Sequence, residues 1–316
     1  MTVLITGGAG FIGSNFLHFL KESNPTRRLI NLDALTYAGN LKNVASLEKS
    51  THYRFVHGNI LDQELLKNII QKEKIETIIH FAAESHVDRS IQSPEKFVQT
   101  NVFGTVAILE VMRQFPSVEL IHISTDEVYG ALESGYASEK DILNPSSPYA
   151  ASKAAAEHFV QAYGKTYGCR YKIVRAANNY GPRQYEEKLV PLMIKNILDK
   201  KELPLYGNGK NIRDWLYVKD FCRAIALVWE KGENGEIYNV SAHEEHTNLE
   251  IIKKLCHILH YDDGMIRFVK DRLGHDFRYA INTDKIESLG FKAQVSFEEG
   301  LNQTINWYQK LEHFDC

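Results

Sequence analysis

Val3-Leu4-Ile5-Thr6-Gly7-Gly8-Ala9-Gly10-Phe11-Ile12-Gly13 decides how the rest of the chain is read. A short β-branched run stops at a glycine-rich turn, and a helical pattern over Phe11–Lys21 begins at once. A tight turn, close backbone approach to a pyrophosphate and close helix–strand packing each require the missing Cβ, which Gly7, Gly10 and Gly13 supply. The new helix would offer free N–H donors and a positive dipole end to phosphates. The stretch therefore predicts a dinucleotide site.

Outward from it, short β-branched runs alternate with helical patterns. The strands predicted are Val3–Thr6, Leu29–Asp33, Arg54–His57, Thr77–Phe81, Leu120–Ser124 and Tyr171–Arg175. The helices predicted between them are Phe11–Lys21, Gln63–Lys72, Glu95–Gln114 and Tyr149–Thr166. Alternation at this spacing gives right-handed βαβ crossovers and a parallel sheet covered on both faces. Beyond Gly181-Pro182 the pattern loosens. Thr247-Asn248-Leu249-Glu250 and Ser296-Phe297-Glu298-Glu299 read as capping boxes, and Gly207-Asn208-Gly209 and Asp262-Asp263-Gly264 as turns. The expected fold is α/β, a Rossmann-type doubly wound parallel sheet over residues 1–180. A smaller mixed C-terminal substrate lobe follows over 181–316, some of its segments returning to the main domain.

Composition narrows the partners. The 316 residues are 44% hydrophobic and 24% charged, ordinary for a globular chain, with a net charge of −3. No global basic field exists to hold nucleic acid or an anionic membrane. Cys169, Cys222, Cys256 and Cys316 form no C-x-x-C pair, so neither a metal site nor a disulfide framework is expected and a reducing compartment fits. No leader precedes the first strand and no apolar run approaches the roughly 18 residues that span a bilayer, so a soluble, cytoplasmic chain is expected.

Asp33 ends the second predicted strand, about 20 residues past Gly13. A carboxylate there accepts hydrogen bonds from the adenosine ribose and repels a 2′-phosphate, favouring NAD over NADP. Arg27 and Arg28 precede that strand and are poorly placed to hold a phosphate. Asn59-Ile60 should flank the adenine. Phe81-Ala82-Ala83 should pass beneath the cofactor at the carboxyl ends of the strands.

Ser147-Pro148 reads as an N-cap followed by proline at the first helical position, placing Tyr149 in the first turn and Lys153 one turn on. A phenol that acts as a base at neutral pH needs its pKa lowered substantially, worth about 4 kcal/mol. A nearby ammonium and a positive nicotinamide would both favour phenolate. Thr125, Asp126 and Glu127 leave the strand Leu120–Ser124 at its C-terminal end. A hydroxyl there can hold a reacting oxygen, and two carboxyls can divide into acid and base if their environments separate them.

These motifs resemble those of the nucleotide-sugar 4,6-dehydratases of the extended short-chain dehydrogenase group, most closely the dTDP-glucose enzymes. The glycine spacing G-x-x-G-x-x-G is of that group. The matching stretches are TGGAGFIG (6–13), DALTYAGN (33–40), HFAAESHVDRSI (80–91), STDEVYG (124–130), SPYAASKAAAEH (147–158), NNYGPRQYEEKLVP (178–191), PLYGNGKNIRDWLYV (204–218) and DRLGHDFRYAI (271–281). The resemblance implies C4 oxidation of the sugar, elimination of water across C5 and C6, and hydride return to C6, with NAD retained, in deoxysugar synthesis. It implies that Tyr149 takes the 4-OH proton beside Lys153 and that Thr125 anchors the 4-oxygen. Glu127 then removes the C5 proton and Asp126 protonates the departing hydroxyl. It adds Leu35, Thr36, Thr100 and Asn178 to the cofactor contacts. For the substrate it implies Ser85, Asn178, Lys188, Leu189, Pro204, Tyr206, Arg213, Asn248, Arg272, His275 and Tyr279. It also implies a homodimer formed through the helices 95–114 and 149–166. Two positions depart from the family pattern. Ala176-Ala177 stand where Cys-Ser is common, and Asn59 where aspartate is common.

The same residues leave open a UDP-glucose or UDP-GlcNAc 4,6-dehydratase, and a 4-epimerase. An epimerase has no use for the Asp126-Glu127 pair. In another class stands a regulatory NAD-binding protein without turnover.

Overall fold

The computed structural model describes residues 1–312; Cys316 lies outside them. Strands β1 (Thr2–Thr6), β2 (Arg28–Asp33), β3 (Tyr53–His57), β4 (Ile75–His80), β5 (Glu119–Thr125) and β6 (Arg170–Ala176) fall within two residues of the predicted ends. They form one sheet in the order 6-5-4-1-2-3, with parallel neighbours throughout. A parallel sheet buried on both faces reads as near-continuous apolar runs, and all seven residues of β5 are buried.

The alternation of side chains across the sheet sorts the core into two layers. Val3 and Ile5 pack with Phe16, Leu17 and Leu20 of α1 (Phe11–Ser23). Leu4 and Ile30 pack the other way, against Leu66 and Ile70 of α2 (Gln63–Glu73). That is the doubly wound arrangement, with β1 at its centre.

A short helix, α3 (Val87–Gln92), follows β4. The long helix expected over 95–114 is broken into α4 (Pro94–Phe97), a π-helical turn over Val98–Phe103, and α5 (Gly104–Met112). The wide turn carries Asn101 inward, 1% exposed. Its amide donates to the Glu84 carbonyl (3.0 Å) and the Ser152 hydroxyl (2.8 Å), tying the segment to the loop after β4 and to α6 (Pro148–Tyr167). Tertiary hydrogen bonds of this kind have no periodic signature.

A second core gathers beyond residue 180 among α7 (Leu189–Leu198), α9 (Asn248–Ile258) and α11 (Phe297–Glu312). These helices pack on two small sheets. One places β9 (Ile212–Tyr217) between β7 (Asn178–Tyr180) and β11 (Glu245–Thr247), and the other pairs β8 (Leu203–Tyr206) with β12 (Ile266–Val269). Thr247 and Glu250 make the full capping box at α9. From the same half of the chain, β10 (Ile237–Val240) extends the main sheet beside β6 as its seventh strand, and α8 (Val218–Lys231) covers the face that α1 covers. No helix among the described residues is long and apolar enough to cross a membrane.

Candidate active site

The glycine turn is fixed by what its neighbours exclude. Gly7 has φ +72°, and a Cβ on it would stand 2.6 Å from the Ala82 nitrogen. A Cβ on Gly13 would stand 2.4 Å from the Gly7 carbonyl, so helix and turn touch backbone to backbone. Gly10 is different. Its nearest neighbour would be 3.3 Å away, and it lines the cleft, so its hydrogen keeps open the space in front of the helix. Among the described residues no side chain caps α1 at Gly10 and no acidic residue occupies its first turn. The first N–H groups face the cleft ready for an anion.

Asp33 closes the other side. One carboxylate oxygen accepts the Ala9 N–H and the other the Leu35 N–H, both at 2.8 Å. It is at once the strand-end brace and a free set of lone pairs for a ribose. Burial pushes its pKa up, against the two backbone hydrogen bonds. From here the cleft runs past Thr36, Asn59 and Ile60, over Phe81, Ala82, Ala83 and Thr100, to Tyr149, Lys153 and Lys188. The predicted cofactor residues Gly7, Gly10, Phe11, Ile12, Gly13 and Asp33 line its near end. Leu35 and Asn178 are outside the lining. Leu35 holds a left-handed turn (φ +49°), and Asn178 pairs with Trp215 in the small sheet.

The helix bearing Tyr149 begins as its sequence indicates. Ser147 accepts the Ala150 N–H (3.1 Å), with Pro148 in the first turn. Lys153 reaches across to the Ile123 carbonyl of β5 (2.6 Å), and burial lowers its pKa to about 8. In the protein alone the Tyr149 phenol is shifted opposite to the lowering expected beside both Lys153 and a positive nicotinamide. Burial raises the Tyr149 pKa, with the Glu127 charge next, while a hydrogen bond with the Thr125 side chain acts in the opposite direction. The Lys153 ammonium is engaged by a carbonyl, and two carboxyls crowd the ring instead.

Thr125 is the last residue of β5, and Asp126–Tyr129 form a single 3₁₀ turn after it. The Glu127 N–H donates to the Thr125 hydroxyl (3.3 Å), which donates to one Asp126 oxygen (3.2 Å). Among the described residues, the second Asp126 oxygen and one Glu127 oxygen are buried without a partner. Asp126 is 2% exposed, and burial followed by Glu127 drives its pKa well up. Burial also raises Glu127, but Arg272, Arg213 and Lys188 pull it back. Neighbouring carboxyls in unlike surroundings divide into an acid and a base.

Those three cations come from the substrate set. Arg213 is 4% exposed, stacks 4.3 Å from the Tyr279 ring centre and donates to the carbonyls of Ile212, Asp276 and Phe277. Lys188 donates to the Ser85 carbonyl (2.8 Å). Arg272 approaches Asp88 at 3.9 Å and, among the described residues, leaves its Nε buried without a partner. Tyr206 also donates to Asp88 (3.4 Å), and His275 is held by Asp271 (2.7 Å). Leu189, Pro204 and Asn248 serve the lobe's framework. Leu189 packs on its core, Pro204 pairs with Arg267, and the Asn248 N–H meets the Asn211 carbonyl.

Sequence reading missed the clasp over the cleft. Arg89 lies 4.0 Å over the Tyr37 ring and pairs with Glu187 at 2.8 Å, while Tyr37 meets Tyr185 edge-on at 5.5 Å. Tyr37, Tyr185 and Glu187 all line the cleft. Each sits inside a quoted motif stretch, but no spacing links residue 37 to 185. Also missed is the buried pair Arg175–Glu157, with Arg175 donating to Tyr129 and Tyr129 to Asn239. Among the described residues no cluster could hold a metal ion.

Residues 4–304 match the family described as GDP-mannose 4,6 dehydratase. The chain is 46% identical to a probable dTDP-glucose 4,6-dehydratase of Sinorhizobium fredii, over 98% of this chain and 93% of that protein. It superposes on DesIV, a dTDP-glucose 4,6-dehydratase from Streptomyces venezuelae solved with NAD and dTDP, with a TM-score of 0.96 and 46% identity over 99% and 98% of the two chains. A UDP-glucose 4-epimerase from Thermotoga maritima shares the fold, with a TM-score of 0.91, at only 30% identity over 99% of this chain and all of that one. Asp126-Glu127 is the pair that a 4-epimerase does not need. Nearly end-to-end matches at this identity make the chain a member of the nucleotide-sugar 4,6-dehydratase family, on its dTDP-glucose branch.

Proposed function

We propose that the chain converts dTDP-glucose to dTDP-4-keto-6-deoxyglucose and water with NAD kept bound, a step of deoxysugar synthesis. The observation carrying this reading is the buried carboxyl pair of Asp126 and Glu127 beside Tyr149, each with an oxygen lacking a partner. The cleft fits NAD. Gly10 leaves room before an uncapped helix, Asp33 offers carboxylate lone pairs, and Tyr149 and Lys153 stand at the far end. Bound NAD supplies the hydride acceptor and donor, and its positive ring favours the Tyr149 phenolate that the protein alone disfavours.

The chain's own residues move the protons. Tyr149 removes the proton of the sugar 4-OH while Thr125 holds that oxygen. The resulting 4-ketone acidifies C5–H, and Glu127, whose ionised form Arg272, Arg213 and Lys188 favour against its burial, takes the proton. Asp126, kept protonated by burial, gives its proton to the departing 6-OH, without which hydroxide is a poor leaving group. Arg272, with its unpartnered Nε, and His275 are suited to the diphosphate, since charged planar donors pair well with phosphate oxygens.

In this reading residues 1–180 bind NAD and carry catalysis, and residues 181–316 supply the substrate lobe. The working unit is a homodimer through the α4–α5 segment and α6, supported by exposed Val98 and Phe103 on the π-helical turn between α4 and α5 and exposed Phe159 and Tyr167 on α6. The buried free thiols Cys169, Cys222 and Cys256 suit a reducing cytoplasm. The test is incubation with dTDP-glucose, UDP-glucose and UDP-GlcNAc in deuterated water. A solvent deuteron at C5 and the C4 hydrogen recovered at C6, fastest for dTDP-glucose, is the expected result. A C4 hydrogen found in released coenzyme would overturn the reading.

A further inference from the structure

The buried ion pair of Arg175 and Glu157 moves no proton, yet it touches both halves of the catalytic machinery. Arg175 lies on β6 in register with Ser124 of β5, one residue short of Thr125. Glu157 lies on α6, where Tyr149, Lys153 and Glu157 recur every fourth residue and share one face. The guanidinium Nε donates to both Glu157 oxygens at 3.1 Å, and Nη2 donates to one of them at 2.6 Å. The remaining nitrogen, Nη1, turns the other way and donates to the Tyr129 hydroxyl at 2.5 Å. Arg175 also lies 4.7 Å from the centre of the Tyr129 ring. Tyr129 ends the 3₁₀ turn that carries Asp126 and Glu127. One arginine thus joins the acid–base turn to the helix of Tyr149 and Lys153.

The side chains of the pair are 2% and 0% exposed, and at such burial lost hydration offsets most of the attraction. What the pair supplies is direction, because a planar guanidinium engaged at both ends fixes the distance and angle between its partners. The Tyr149 helix has other moorings. Lys153 donates to the Ile123 carbonyl (2.6 Å), and Ser152 accepts from the Asn101 amide (2.8 Å). The turn is held more lightly. The Asn144 N–H meets its Val128 carbonyl (3.0 Å), and Tyr129 ties it to Arg175 and, by donating, to Asn239 of β10 (2.8 Å). Elimination needs Glu127 at C5–H and Asp126 at the 6-oxygen of a sugar that Tyr149 already holds at C4. A shift of the turn against the helix damages elimination before it damages oxidation.

We propose that Arg175, with Glu157 and Tyr129, is a set of positioning residues that keeps the elimination carboxyls in register with the hydride-transfer site. This rests on the dehydratase reading and deepens it. None of the three lines the cleft, so they act through the residues they hold.

Two variants break the link without leaving a buried charge unpaired. Tyr129→Phe removes the shared hydroxyl. Arg175→Met combined with Glu157→Met removes the pair as a unit, an exchange that buried ion pairs often tolerate without loss of stability. Each protein, carrying NAD, is checked by thermal melting and mixed with dTDP-glucose in a stopped-flow instrument. NADH absorbance is followed, and the sugar is analysed after quenching. In the unmodified protein NADH should remain a small transient, because elimination and hydride return follow oxidation quickly. In both variants NADH should form at the unmodified rate and then accumulate together with 4-keto-glucose. Turnover should fall about ten- to a hundredfold, while affinity for dTDP, measured by calorimetry, stays unchanged. A variant that does not fold is set aside, and the other decides. Equal slowing of oxidation and elimination in a folded variant, or an unmodified partition between them, would overturn the positioning role. Failure of the unmodified protein to form any 4-keto-6-deoxy product would instead overturn the dehydratase reading itself.

Discussion

At residues 7–13 the chain strips side chains away, whereas at residues 125–127 it crowds them together. The glycine cradle works through bare backbone. Gly7 and Gly13 let turn, helix and the β4 exit approach to distances that any Cβ would block, leaving N–H groups and the helix dipole to face the cleft. The acid–base floor works through charged groups denied water, with an oxygen of Asp126 and one of Glu127 held unpartnered. The cradle needs only neighbours in sequence and one strand beside it. The floor needs the end of β5, the start of α6 and three cations, Lys188, Arg213 and Arg272, all from beyond residue 180. Binding is thus built locally, and reactivity is assembled globally.

The strongest way to break this comparison is Glu127→Gln. It should slow elimination by about 10²–10⁴, the usual range for a lost general base, while C4 oxidation changes far less. Rapid-quench analysis of the sugar would show 4-keto-glucose accumulating, and equal loss of both steps would remove Glu127 from the base role. Gly13→Ala tests the opposite end. Its Cβ meets backbone at 2.4 Å, so about 1–3 kcal/mol of stability should go. NAD should be lost on gel filtration, while Asp126 and Glu127 are left untouched.

A pH profile sharpens the contrast further. Lys153, lowered to about 8 by burial, is charged below that pH and neutral above it. Turnover should therefore decline above about pH 8, by roughly tenfold per pH unit at the steepest. Lys153→Arg, whose side chain stays protonated throughout, should lose this alkaline limb even at reduced activity. Glu127, raised by burial, must be ionised to act, so the acid limb should lie above the ordinary range of a glutamate. The smallest effect belongs to the cradle's rim. Asn59 accepts the Leu61 N–H (3.0 Å), and an aspartate can do the same. Asn59→Asp should change NAD retention by under about 1 kcal/mol, measured by competition with free NAD.

Legibility followed the range of the interactions. The strands, α1, α2 and α6, and the Ser147 and Thr247 caps could be read because each depends on residues within a turn or a pleat of one another. The helix over 95–114 was misjudged, since its π-helical turn serves Asn101, whose partners Glu84 and Ser152 lie in other elements. The surroundings of the Tyr149 phenol were out of reach for the same reason. Tyr-x-x-x-Lys suggests an ammonium beside a phenol, yet the fold turns Lys153 to the Ile123 carbonyl and brings Glu127 toward the ring.

By itself the sequence determined a doubly wound parallel sheet, a glycine turn that admits a dinucleotide, and the residue types for proton transfer, because hydrophobic period and missing Cβ atoms are local properties. Only the tertiary structure decided how unlike the surroundings of the two carboxyls are. Burial drives Asp126 well up, whereas at Glu127 burial is opposed by Arg213, Arg272 and Lys188, cations far away along the chain that the fold carries there.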